Sequence, residues 1–81
     1  MGMLRVLSRN GDDQHQWNLP AVEAGDAEAI AAVKEAERIF RDQRARGAVA
    51  VRVAPGKPAE RIDEFDPNAQ EILMVPRVIG G

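Results

Sequence analysis

With 81 residues the chain has room for one domain, and most of its buried surface must come from one helix stripe and one sheet face. Hydrophobic residues at 44% and charged residues at 30% exclude the low-hydrophobicity regime of disorder, and without cysteine there is no disulfide framework, thiolate nucleophile or cysteine zinc site. A net charge of −2 with both signs interspersed argues against nucleic acid as a partner, and no apolar run approaches the roughly 20 residues that span a bilayer, so a cytoplasmic monomer is expected.

Met1-Gly2 ahead of a second methionine at Met3 suits a short cloning remnant before a native start. Met3 to Arg9 alternates imperfectly between apolar and polar, and Asn10-Gly11-Asp12-Asp13 supplies residues that tolerate positive φ, which predicts a strand entering a hairpin. The return strand, Gln14 to Leu19, places His15, Trp17 and Leu19 on one face, with Trp17 capping the edge of the core. Pro20 ends that strand, and the stretch to Gly25 reads as a connecting loop.

Asp26 is a suitable N-cap, and the chain from there to Arg46 is rich in helix formers, with no glycine or proline until Gly47. Ala29, Val33, Ala36 and Phe40 recur in steps of four, three and four and form the apolar stripe, flanked by Ile30 and Ile39. Glu37 with Arg41, and Arg38 with Asp42, are spaced for i, i+4 pairs on the solvated face, and Arg41, Arg44 and Arg46 suit the negative end of the helix dipole.

After Gly47, Ala48 to Val53 alternates with its valines on one side, and burial of Val49, Val51 and Val53 against the helix is favoured over an exposed interaction strip. Pro55-Gly56-Lys57-Pro58 breaks the strand. Glu60 to Phe65 is short and charged, as a protected edge strand should be, with Ile62 and Phe65 turned inward. Ile72-Leu73-Met74-Val75 is the most apolar run and predicts a strand near the sheet centre, and Pro76 ends it. The expected fold is α+β, a four- or five-stranded mixed sheet crossed by one helix, with the first and last strands paired in parallel. Residues 1–76 form the domain and 77–81 a flexible tail.

The remaining constellations carry little chemistry. His15 is the single imidazole, and one histidine on a strand is more often packed than metal-bound, so no metal site is assigned. Glu60, Asp63, Glu64 and Asp66 gather acidic charge without an adjacent base or nucleophile, and Ser8 has no triad context, so no catalytic residue is assigned and the acidic patch is at most a contact for a basic partner.

The tail is more informative. Arg77-Val78-Ile79-Gly80-Gly81 offers an α-carboxylate on two residues without Cβ atoms, which suits passage through a narrow channel to an activating centre. Val75-Pro76-Arg77-Val78-Ile79-Gly80-Gly81 after a central apolar strand resembles the ending of the ubiquitin-like sulfur carriers, the molybdopterin synthase small subunit and the thiamine sulfur carrier, which read Pro, Pro, Val, small residue, Gly, Gly. Gly80, Gly81, Pro76 and Val78 match, Arg77 stands for the second proline and Ile79 for the small residue, and an arginine shortly before the diglycine is also found in ubiquitin. The resemblance implies a β-grasp fold and a carrier or modifier, not an enzyme. An adenylating enzyme would use ATP to activate Gly81 for sulfur transfer or conjugation, with a sulfurtransferase or deconjugating protease as further partners and Lys34 and Lys57 as candidate acceptors. Val-Pro-x-Val-x-Gly is also similar to the ubiquitin-like domain of phage tail assembly proteins, and the alternative it implies is a non-covalent interaction module.

Overall fold

The computed structural model describes residues 1–8 and 11–76. Five strands and two helices follow one another as β1 (Gly2–Ser8), β2 (Gly11–Trp17), α1 (Leu19–Glu23), α2 (Ala27–Ala45), β3 (Val49–Val53), β4 (Glu60–Ile62) and β5 (Glu71–Val75). The strands form one sheet in the order β2-β1-β5-β3-β4, with β1 and β5 parallel and the other pairs antiparallel. The α+β class and the mixed sheet crossed by a helix are therefore as expected, in an arrangement compatible with a β-grasp.

The long helix has defined ends. Asp26 has extended backbone and its carboxylate accepts from the N–H groups of Glu28 at 2.9 Å and Ala29 at 3.5 Å, satisfying two donors that the first turn leaves unpaired. At the other end Gly47 has φ +93°, its N–H donates to the Arg44 carbonyl and the Ala48 N–H to the Gln43 carbonyl, both at 3.0 Å, the pairing of a Schellman stop. Arg44 adds a 2.9 Å hydrogen bond from Nη1 to the Ala48 carbonyl, a cation at the negative end of the helix. Glu37 and Arg41 pair at i, i+4, but Arg38 turns back to Glu35 and Asp42 pairs with Arg46, so the expected Arg38 to Asp42 pair is replaced.

Ala29, Ala36 and Phe40 are buried on the inner stripe, and Val33 and Ile39 pack against its margins. The core beneath is Leu4 and Val6 from β1, Trp17, Ala48 and Ala50, Ala69, and Ile72 and Met74 from β5. Each large side chain of this kind, fully removed from water, contributes about 1.5 to 3 kcal/mol.

Gly2 pairs with Trp17 in the first rung of the hairpin and is buried under the indole. Three expectations are corrected. The return strand begins at Gly11 and ends at Trp17, so Asp12 and Asp13 lie in the strand instead of the turn. Leu19 then opens a five-residue helix, with Asn18 accepting from the Ala21 N–H at 3.1 Å as N-cap and proline within the first helical positions, where its missing donor costs nothing.

The third correction concerns β3. Register pairs Ala50 with Met74 and Ile62, all facing the helix, so Val49, Val51 and Val53 lie half-buried on the opposite, outer face. Ala36 of the helix and Ala48 and Ala50 share one cluster in which small residues meet, and valines there would need space that a packed interior lacks.

Trp17 does more than cap an edge. It is 2% exposed, its Nε1–H donates to the Pro67 carbonyl at 2.9 Å, and its ring meets Phe65 at 5.3 Å between centroids. Phe65 in turn meets Phe40 edge-on at 5.7 Å. One residue thus ties the first hairpin to the loop before β5 and, through Phe65, to the helix.

Candidate functional site

Strand β5 lies at the sheet centre, between β1 and β3, with Ile72 and Met74 fully buried. Backbone hydrogen bonds hold it on both sides. It ends at Val75, which is 38% exposed, and Pro76 follows, exposed and without an N–H to extend the ladder. The sequence-predicted residues Arg77, Val78, Ile79, Gly80 and Gly81 lie outside the described residues. Of the two candidate acceptor lysines, Lys34 is exposed on α2, and Lys57 is exposed in the β3 to β4 connection, its N–H donating to the Ala54 carbonyl.

The acidic cluster is largely neutralised. Arg52 bonds Glu60 through Nη2 and Asp66 through Nη1 at 2.7 Å, and Arg44 reaches Asp63 at 3.3 Å. The Glu60 and Asp66 carboxylates together raise the Arg52 pKa, Glu60 contributing most, so the guanidinium stays charged and tied to the loop. Of the four acids this leaves Glu64 without an ion pair among the described residues, and the expected contact for a basic partner is reduced accordingly. His15 sits half-buried on β2 opposite Leu4, and among the described residues no three histidine, cysteine, aspartate or glutamate side chains gather as a metal site. Ser8 Oγ donates to the Gly11 carbonyl at 3.2 Å.

The outer face of the sheet, away from the helix, is the feature sequence reasoning placed wrongly. Its middle row runs Gln14, Arg5, Leu73, Val51, Arg61, and the row toward the start of β1 runs Gln16, Met3, Glu71, Val53. Leu7, Val49 and Val75 extend the apolar surface toward the end of β5, and the described helices do not cover it. The alternation of Glu71, Leu73 and Val75 against Ile72 and Met74 was the available signal, and the continuous apolar run obscured it.

The site the fold offers is thus a central strand leading into the tail, beside an open apolar sheet face. No protein family, no curated protein and no solved structure matches this chain. Among the described residues no helix is long and apolar enough to cross a membrane.

Proposed function

We propose that this chain is a ubiquitin-like carrier or modifier acted on at the Gly81 carboxylate. The observation that carries the reading is the position of β5: the sheet's central strand, locked to β1 and β3, leads through Pro76 into a segment ending in two glycines. A rigid root followed by a stalk that narrows to residues without side chains suits delivery of a carboxylate into a partner's active site. The chemistry belongs to that partner. A Gly81 carboxylate oxygen attacks the α-phosphorus of ATP and pyrophosphate leaves. A sulfur nucleophile then attacks the acyl carbon and AMP leaves, giving a thioester from an enzyme cysteine or a thiocarboxylate from sulfide.

Incubation with ATP and an adenylating enzyme encoded beside this gene tests the reading by intact mass. A shift confined to Gly81 as adenylate, thioester or thiocarboxylate, absent after Gly81 deletion, is expected. No shift with any such enzyme, together with full biological activity of the deletion variant, would reject it. The open apolar face favours a second reading, a non-covalent interaction module in which the glycines are incidental. Retained partner capture by a chain truncated after Pro76 would support that reading over the first.

A further inference from the structure

We propose that the groove over Glu71, at the opposite end of β5 from Val75 on the outer sheet face, is a docking site for a partner polypeptide carrying a lysine or arginine two residues from an apolar residue. The groove has a volume of about 450 Å³ and is walled by Met1, Met3, Val53, Ala54 and Pro55, with Gln16 and Gln70 also lining it. Register places the Glu71 side chain between Met3 and Val53, so the carboxylate forms its floor. Among the described residues Glu71 is the one charged side chain that lines it.

The charge of that carboxylate is incompletely answered within the chain. Its neighbour Arg5 has Nε 3.0 Å from an Asp12 carboxylate oxygen, an ion pair without a hydrogen bond from that N–H, and reaches Glu71 with Nη2 at 3.8 Å, beyond hydrogen-bond distance. One guanidinium is shared between two carboxylates, and among the described residues the Met1 α-amino group makes no ion pair with Glu71. The Glu71 side chain is 24% exposed, so it is partly desolvated yet open to a ligand.

Apolar walls over a carboxylate floor match one side-chain design, an aliphatic stem ending in a cation. Lysine and arginine lay their methylenes along apolar surface while the charged head reaches a partner. Two methionines in the wall adapt to either stem. A residue two positions from the cation in an extended segment would lie over Leu73 and Val51, the apolar centre of the same face, which sets the second half of the preference. A small organic cation would satisfy Glu71 but leave that centre uncovered.

The proposal does not rest on the carrier reading. Glu71 opens β5 and Val75 closes it, a separation of about 13 Å at the strand rise. A segment in the groove therefore leaves the root of the tail free.

The test is selection of a random twelve-residue peptide display library against the whole protein, repeated against Glu71→Gln and Arg5→Gln. Wild-type selectants should be enriched in a lysine or arginine two residues from an apolar residue. Titration of one such synthetic peptide should move the backbone amides of Met3, Val53, Glu71 and Leu73. Glu71→Gln should weaken that peptide roughly tenfold, the scale of a partly desolvated charge-assisted hydrogen bond. Arg5→Gln should tighten it, because removal of the competing cation frees Glu71, whereas mere damage to the sheet would weaken both. Selectants without a basic preference, equal affinity for Glu71→Gln, or perturbed amides confined to another face would overturn the proposal. So would sedimentation showing that the protein alone buries this face in a dimer.

Discussion

Gly2→Ala tests the tie between the first strand and the rest of the fold. A Cβ built on Gly2 would lie 2.1 Å from Cε2 and 2.3 Å from Nε1 of Trp17, well inside van der Waals contact. The indole cannot yield cheaply, because it is 2% exposed and donates to the Pro67 carbonyl at 2.9 Å. Overpacking of this kind costs about 1 to 3 kcal/mol, and loss of the indole hydrogen bond adds about 1 kcal/mol. The alanine recovers roughly 0.5 to 1 kcal/mol by restricting the unfolded chain. The net expectation is destabilisation by about 1 to 3 kcal/mol. For a domain of this size each kcal/mol lowers Tm by about 4 to 8 °C, so a fall of roughly 4 to 24 °C is expected. Guanidinium unfolding followed by tryptophan fluorescence and by circular dichroism reads both consequences, since a displaced indole also shifts native emission to longer wavelength. An unchanged midpoint with unshifted emission would show that the indole does not cover Gly2 and would refute the reasoning.

Phe40→Ala, which removes the ring joining helix stripe to Phe65, should cost about 3 to 5 kcal/mol in chemical unfolding, enough to unfold much of the population in a small domain. Asp26→Ala should cost about 1 kcal/mol through loss of the helix cap, and Asp26→Asn should restore most of it. Ala50→Val, under the helix, should destabilise by about 1 to 3 kcal/mol, whereas Val51→Thr on the outer face should stay below about 1 kcal/mol; the reverse order would mean that β3 faces the other way. The hydrogen bond from Arg38 holds the Glu35 carboxyl below the ordinary glutamate range, so this pair stabilises the helix above the carboxylate titration and the contribution fades as pH falls through the lowered folded value. Thermal melts of Glu35→Gln and wild type should accordingly differ at neutral pH and converge in acid.

The helix was legible almost residue by residue because every signal for it is local. Asp26, the stripe through Phe40 and the stop at Gly47 act within one or two turns, and Ala27–Ala45 is what they dictate. Strand β5 was legible as central because Ile72 and Met74 leave no polar positions on that face. Only the tertiary structure decided which face of β3 meets the helix: Ala48-Val49-Ala50-Val51 is apolar on both sides, and the choice rests on how near the helix comes, which no residue of β3 encodes alone. The same holds for Gly2 and Trp17, whose contact depends on the hairpin register, for Pro67, 50 residues from the indole it receives, and for the groove over Glu71, which exists because three strands distant in sequence bring Met3, Glu71 and Val53 into one row. Local propensity reaches along the chain, but strand pairing and packing join residues across it, and the candidate docking surface is made wholly of such joins.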